Sequence, residues 1–184
     1  MATMFNGGCH MRPRWILRSL TVVAVLALTV TVTNADESTL TLHAKLSGFK
    51  EVTPKLTAGT GTFHATVTGS TLSYRLTFSG LSSPAFMSHI HFAQPGVNGG
   101  IFLWLCGSAG APGPAGTPTC PAGGGTVSRS GVTASDIRPV PDQNLAAGDF
   151  SGALRIIESG DAYVNVHTVN FPGGEIRGEV KSED

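Results

Sequence analysis

Familiar catalytic motifs and clusters of like charge are missing from this sequence of 184 residues. Basic and acidic residues number 12 each, and no lysine- or arginine-rich patch of the kind that binds nucleic acid stands out. Nucleophile-elbow, Walker and HExxH motifs are also absent, so the chain carries no signature of a serine hydrolase, a nucleotide hydrolase or a zinc protease. Nucleic acid is therefore not predicted as a partner, and any chemistry must come from less specific groupings of residues.

Cysteine is scarce, with three in the chain, and no pair has the CxxC spacing of a thiolate metal site. Cys9 lies in an N-terminal segment that we expect to be removed, which leaves Cys106 and Cys120. An even pair of cysteines in an oxidising compartment predicts a disulfide. Closing a loop of about 15 residues would contribute on the order of 3 kcal/mol in the chain-entropy model. Two soft metal ligands are the alternative interpretation of this pair.

The N-terminal segment has the parts of a secretion signal. Arg12, Arg14 and Arg18 precede an uncharged, largely apolar stretch over residues 19–35 that ends in small residues. A retained membrane anchor is the alternative, but the apolar core is shorter than the roughly 20 residues that a spanning helix needs. We predict that residues 1–35 are a signal peptide cleaved after Ala35, from a start at Met1 or at Met11.

Signal cleavage would leave 149 residues (184 − 35), enough for one domain with its own core. Three arginines are lost with the signal, so the mature charge is −3, from nine basic residues against twelve acidic ones (9 − 12). We expect residues 36–184 to form one secreted or periplasmic domain that has no contact with the membrane after cleavage. Its partner would be extracellular or periplasmic, and the sequence does not identify it.

Alternation of apolar and polar residues dominates the mature sequence and predicts β-strands, two of which meet as a hairpin at Gly69-Ser70. One short helix is predicted near residues 150–159, with Asp149 as its N-cap and Gly160 as its stop. Residues 107–125, rich in Gly and Pro, are expected to form a flexible loop.

Short strands with turns between them predict an all-β fold, an antiparallel β-sandwich, with strands at residues 40–46, 63–68, 72–78, 86–92, 101–105, 162–168 and 175–180. The apolar faces of these strands should be buried, including Leu72, Tyr74, Leu76, Phe78, Val164, Val166 and Ile176.

Histidines on two of the strands carry the main chemical hypothesis. His89 and His91 occupy positions i and i+2 of one strand, so their Cβ atoms lie about 6.5 to 7 Å apart on one face. His167 lies on another strand, on a polar face that it shares with Tyr163 and Asn165. Three imidazoles with an open fourth position are typical of a copper or zinc centre. The alternative is that these histidines are solvated or hydrogen-bonded structural groups.

Two other histidines and one arginine are predicted to lie at the surface. His43 and His64 point away from the apolar faces of strands with no other special feature, so we expect both to be exposed. Arg177 lies between Glu175 and Glu179 on one strand face, which predicts a surface ion-pair ladder. Because the hairpin brings Arg177 back beside the His167 strand, support of the metal site is the alternative role for this residue.

Four segments, taken together and in order, resemble the CHRD domain, a family first described in chordin and frequent in exported bacterial proteins. The resemblance spans about residues 40–180 and implies an immunoglobulin-like or superoxide-dismutase-like Greek-key β-sandwich that works outside the cytoplasm, without implying a reaction. Residues 47–54 match the family's Ser-Gly-x-x-Glu-Val-Pro-Pro less closely, since Thr53 replaces the first proline, and the loop between Cys106 and Cys120 resembles an individual insertion. The four segments are Ser88-His89-Ile90-His91, Pro95-Gly96-Val97-Asn98-Gly99, Tyr163-Val164-Asn165-Val166-His167-Thr168 and Pro172-Gly173-Gly174-Glu175-Ile176-Arg177-Gly178.

Three functions are compatible with these features, and we favour a non-enzymatic binding module with a copper or zinc site at His89, His91 and His167. A mononuclear copper enzyme acting on superoxide or another small oxidant is the second. The dinuclear site of copper/zinc superoxide dismutase is excluded, because it needs six histidines and an aspartate, whereas the mature chain keeps five histidines after the loss of His10 (6 − 1). The third is a structural or adhesion domain without a metal.

Overall fold

A computed structural model gives the fold, and it describes residues 38–183 together with Met1 and Met4. Apart from Met1 and Met4, the predicted signal peptide and its cleavage site fall outside the described residues. Within the described residues, no helix has both the length and the apolar character needed to cross a bilayer.

The alternating segments of the sequence form the strands of an almost entirely β-structured domain. A short 3-10 turn, Gly48–Lys50, follows the first strand, and one α-helix, α1 (Phe150–Glu158), precedes the seventh. The strands are β1 (Thr39–Ser47), β2 (Thr60–Thr68), β3 (Thr71–Ser79), β4 (Ala85–Phe92), β5 (Gly100–Cys106), β6 (Gly125–Val132), β7 (Ala162–Thr168), β8 (Ile176–Glu179) and β9 (Lys181–Ser182). Within residues 38–183, the predicted all-β fold with one short α-helix is confirmed.

Antiparallel pairing joins these strands in the order β5-β4-β7-β8-β1-β2-β3-β6, with β9 added against β1. The sheet folds over on itself as a sandwich, since the hydroxyl of Tyr74 on β3 donates a hydrogen bond of 2.6 Å to the carbonyl of Leu105 on β5. Two strands that lie far apart in the order of the sheet are therefore in contact. The apolar faces of both halves meet between them.

The hydrophobic core confirms the period-two pattern. All seven residues predicted to be buried have at most 4% of their surface exposed, and they pack with Phe63, Ile90 and Phe102 into one cluster. The predicted helix is also present, as α1. At the N-terminus of α1, the Asp149 carboxylate accepts a hydrogen bond of 2.8 Å from the Gly152 amide, as predicted for an N-cap. Burial of apolar surface is the dominant stabilising contribution in such a fold.

Strands β6 and β9 were not predicted from the sequence. In β6 the two buried apolar residues, Val127 and Val132, are five positions apart, because the pairing with β3 shifts register between Leu72 and Tyr74. This irregularity breaks the alternation by which a strand is recognised. Strand β9 has only two residues, both exposed, and so carries no hydrophobic signal.

A disulfide joins Cys106, the last residue of β5, to Cys120, as predicted. It closes the base of the glycine-rich loop, where the Cys120 amide also donates a hydrogen bond of 2.8 Å to the Gly107 carbonyl. The loop thus returns to the end of β5, and the chain can continue into β6.

We expect Val166→Ala to lower the free energy of unfolding by about 1 to 3 kcal/mol, because the side chain is fully buried and its loss leaves a cavity. Thr66→Ala, at an exposed position of β2, is the control and should change stability by less than about 0.5 kcal/mol. Chemical denaturation followed by circular dichroism measures both. Equal losses for the two variants would contradict the assignment of Val166 to the core.

Reduction of the disulfide should lower the free energy of unfolding by up to about 3 kcal/mol, since the unfolded chain regains the entropy of a loop spanning 14 positions. Denaturation of the same protein with and without reductant measures the difference without any substitution. Proteolysis should increase first within residues 107–119. An unchanged unfolding midpoint after verified reduction would show that the bridge does not constrain the chain.

Candidate functional site

Three histidines from two neighbouring strands converge at one place. Strands β4 and β7 pair antiparallel, with His89 opposite Asn165, His91 opposite Tyr163 and Met87 opposite His167. Because side chains at alternate positions share a face, this register brings His89, His91 and His167 together. One ring nitrogen from each lies within 4.8 Å of the other two.

Backbone carbonyls fix the orientation and the tautomer of two of these rings. The Nδ1 atom of His91 lies 2.9 Å from the Gly99 carbonyl, and Nδ1 of His167 lies 2.9 Å from the Pro172 carbonyl. A carbonyl oxygen only accepts hydrogen bonds, so Nδ1 carries the proton in both rings and Nε2 has a free lone pair. The glycine-containing turns before β5 and β8 thus hold both rings in the form that binds metals.

The free nitrogens face a small shared space. Nε2 of His167 lies 3.2 Å from Nδ1 of His89. The amide oxygen Oδ1 of Asn165 lies 2.9 Å from Nε2 of His167 and 3.1 Å from Nε2 of His91. Four electron-rich atoms meet here, and among them only Nδ1 of His89 is able to hold a proton when the rings are neutral. With the His89 proton on Nε2, which has no hydrogen-bond partner among the described residues, Nδ1 also presents a lone pair. Such a cluster of lone pairs suits a cation.

The polar face that carries the histidines is buried and does not face solvent. Every residue of β7 is buried, and His89, His91 and His167 expose 0%, 6% and 6% of their surface. Trp104, on β5, contributes to this burial, since its ring lies 4.2 Å from the His89 ring, centroid to centroid and nearly perpendicular to it. Trp104 was not predicted as part of the site, because only the β4–β5 register brings it opposite His89.

The predicted surface role of Arg177 is wrong, because this side chain is fully buried. Its guanidinium carbon lies 3.4 Å above the centre of the Tyr163 ring, which stacks in turn on the His91 ring at 4.6 Å. The guanidinium donates to Glu179 at 3.0 Å and to the Val97 carbonyl at 2.8 Å. The loop that contains Val97 folds over this end of β8. Glu179 and the Val97 carbonyl thus take the place of water as hydrogen-bond partners of the guanidinium. Arg177 and Tyr163 therefore form the layer behind His91.

Glu175 is not part of an ion-pair ladder with Arg177, contrary to the prediction. It is fully buried, and its carboxylate accepts hydrogen bonds from the hydroxyl of Thr168 at 2.6 Å and from the hydroxyl and amide of Ser82 at 2.9 and 2.8 Å. Burial by itself raises the pKa of Glu175, but these hydrogen bonds outweigh it and hold the pKa below its ordinary value. The residue ties the turn before β8 to the segment after β3.

The remaining two histidines of the described chain do not belong to the site. His64 is exposed, as predicted. His43 is only partly exposed, with 32% of its side-chain surface accessible and its Nδ1 atom 3.5 Å from Glu183, so the predicted exposure of this residue holds in part. The cause is the pairing of β9 with β1, which brings the C-terminal segment over His43.

Glu51 lies near the site but was not among the site residues predicted from the sequence. It follows the Gly48–Lys50 turn, exposes 3% of its surface, and burial raises its pKa to about 7. Its Oε1 atom has no hydrogen-bond partner among the described residues. A signal existed, because Glu51 lies in the segment that matches the family's Glu-Val-Pro-Pro, but nothing in the sequence placed that segment beside the histidines.

Burial keeps all three histidines uncharged at neutral pH. It lowers the pKa of His89 to about 2 and that of His91 to about 4, and the pKa of His167 is also lowered by burial. Neighbouring His167 lowers the pKa of His89 further. Neutral imidazole is the form that ligates a metal, so the folded protein presents these nitrogens ready to bind.

The stability of the metal-free protein should fall as the pH is lowered from about 6.5 to about 4. In the unfolded chain a histidine takes up its proton near pH 6.5, whereas His91 in the folded protein does so only near pH 4. Unfolding therefore takes up protons in this range, and each such histidine contributes about 1.4 kcal/mol per pH unit. Denaturation at a series of pH values in the presence of a chelator measures the slope.

Glu51 opposes this trend, because its pKa is raised from 4.5 to about 7 and its protonation favours the folded state as the pH falls through that range. Glu179, whose pKa burial also raises, acts in the same direction. Glu51→Gln should consequently make the acid loss of stability steeper than in the unaltered protein. Stability that rises between pH 6.5 and pH 4 in the Gln variant would contradict the shifted histidine pKa values.

Comparison with known proteins agrees with the resemblance seen in the sequence. A family model described as the CHRD domain matches residues 42–180, which include both histidine strands and the turn between β7 and β8. Searches of curated proteins and of solved structures give no significant match. The chain belongs to the CHRD domain family.

Proposed function

We propose that this protein is an exported, non-enzymatic binding module that holds one copper or zinc ion with His89, His91 and His167. The observation that carries the proposal is the pair of Nδ1 hydrogen bonds to backbone carbonyls, which leaves the Nε2 lone pairs of His91 and His167 directed into one space. Metal-binding histidines characteristically donate their second ring nitrogen to a carbonyl or a carboxylate in this way. Copper should bind more tightly than zinc, as the Irving–Williams order expects of nitrogen ligands.

The enclosure of the site favours binding over catalysis. The three rings expose at most 6% of their surface, and Tyr163, Trp104 and Phe86 pack against them. A mononuclear copper enzyme that acts on superoxide would benefit from an exposed positive charge that guides the anion to the metal. Arg177, which reaches the site through Tyr163, is fully buried and paired with Glu179, so it offers no such charge.

Two features outside the site, the N-terminal segment and the disulfide, support export. The basic and apolar segment over residues 1–35 has the pattern of a signal peptide, and the disulfide between Cys106 and Cys120 suits an oxidising compartment. We propose cleavage after Ala35 and a secreted or periplasmic domain over residues 36–184. In that compartment the module would bind its metal from the surroundings or present it to an extracellular or periplasmic partner.

Calorimetric titration of the chelator-treated protein with Cu²⁺ and with Zn²⁺ tests the site. We expect one ion per chain, with tighter binding of Cu²⁺. His89→Ala and His167→Ala should each abolish tight binding, because two remaining imidazoles are too few for a buried site. His43→Ala and His64→Ala are matched controls, since they remove imidazoles from β1 and β2 and should leave the affinity unchanged.

The structural or adhesion role without a metal is the alternative outcome. It would be favoured by uptake no tighter than about millimolar, the range of weak surface sites. Losses in the His43 and His64 variants equal to the loss in the His89 variant would likewise show that binding is nonspecific. Circular dichroism of each variant establishes that the fold is retained.

A further inference from the structure

The amide of Asn165 lies among the three histidines in the manner of a further ligand. Its Oδ1 atom is 2.9 Å from Nε2 of His167 and 3.1 Å from Nε2 of His91, and His167 Nε2 is 3.2 Å from Nδ1 of His89. In a tetrahedral site with metal–ligand bonds of about 2.0 to 2.1 Å, neighbouring ligand atoms are about 3.3 Å apart. The three contacts are therefore close to the edges of such a tetrahedron.

Hydrogen bonding does not explain this placement of Oδ1. Nδ1 of His91 and Nδ1 of His167 donate to carbonyls, so neither Nε2 atom has a proton to offer in a neutral ring. Oδ1 is an acceptor as well, and it meets two lone pairs. If the amide were rotated by half a turn, its NH₂ group would donate to both Nε2 atoms, and the network would be satisfied without a metal. The surroundings of the other end of the amide distinguish these orientations.

The Nδ2 end of the amide faces Glu51 across Gly174. A β-carbon built on Gly174 would lie 2.9 Å from Asn165 Nδ2 and 2.5 Å from Glu51 Oε1, so the two atoms border the same gap. Glu51 Oε1 is buried and has no hydrogen-bond partner among the described residues. No hydrogen bond joins the two atoms in this structure, but a buried acceptor without a donor favours an amide that turns its NH₂ group toward the gap and its oxygen toward the histidines.

We propose that Asn165 Oδ1 is the fourth ligand of the ion, and that Glu51 is a positioning residue that orients the Asn165 amide. The proposal rests on the three-histidine site proposed above. It replaces the open fourth position expected from the sequence with a closed set of four protein ligands. Closed sets are typical of sites that retain their ion, whereas catalytic sites keep a position for water or substrate. The site would accordingly hold the metal and exclude exogenous ligands.

Protein loaded with Co²⁺ provides the test, because the visible spectrum of this ion reports its coordination, and azide is the probe for an open position. In the unaltered protein we expect azide to leave the spectrum unchanged. In Asn165→Ala the vacated position should admit azide, with a shifted spectrum and at least a tenfold loss of Co²⁺ affinity. Asn165→Asp supplies a carboxylate oxygen at the same place and should restore insensitivity to azide.

The role of Glu51 is tested by two matched variants. Glu51→Gln keeps a carbonyl oxygen that can accept from Nδ2 and should retain nearly full affinity. Glu51→Leu fills the space without an acceptor to attract the NH₂ group, and should lower the affinity by about 10- to 100-fold, the range seen when groups that orient metal ligands are lost. A purely steric role for Glu51 would give the opposite order, with the Leu variant close to the unaltered protein.

Three results would overturn the proposal. A spectrum of the unaltered protein that changes with azide would show an open position, and this result does not depend on the folding of any variant. An Asn165→Ala variant with unchanged affinity and unchanged insensitivity to azide would show that Oδ1 is not a ligand. Both results leave the three-histidine site intact, whereas a protein that takes up no Co²⁺, Cu²⁺ or Zn²⁺ would contradict that site as well.

Discussion

The antiparallel pairing of β4 with β7, buried on both faces, is the interaction on which the candidate site depends. One face contributes Ile90, Val164 and Val166 to the hydrophobic core, and the other carries His89, His91 and His167. A slip of one residue in this register would move the imidazoles into the apolar core and the aliphatic residues out of it. The free energy of core packing therefore also fixes the positions of the three imidazoles.

Enclosure then determines the chemistry of these rings. Burial lowers the histidine pKa values and makes each unpaired polar atom costly, so the turns at Gly99 and Pro172 are needed to satisfy the Nδ1 protons. The same turns leave the Nε2 lone pairs facing one another with Asn165 between them. A bound cation would pair with these lone pairs, and this need is the physical basis of the proposed metal site.

The period-two pattern was sufficient to predict most strands, the core and the shared face of His89 and His91, because alternation depends on local geometry. It failed for β6, where a register shift separates Val127 from Val132 by five residues. The buried state of Arg177, Glu175 and the histidine face could not be predicted, since it depends on loops that fold over the strands from distant parts of the chain. Glu51 shows the same limit, because only the three-dimensional fold brings it to Gly174 and Asn165.

Anomalous diffraction at the copper edge from crystals of the copper-loaded protein tests the central claim most directly, since it locates the ion without reference to any variant. The account predicts one strong peak among His89 Nδ1, His91 Nε2 and His167 Nε2, about 2.0 to 2.1 Å from each. Occupied copper positions only at surface groups such as His64, with no peak among the three buried rings, would contradict it.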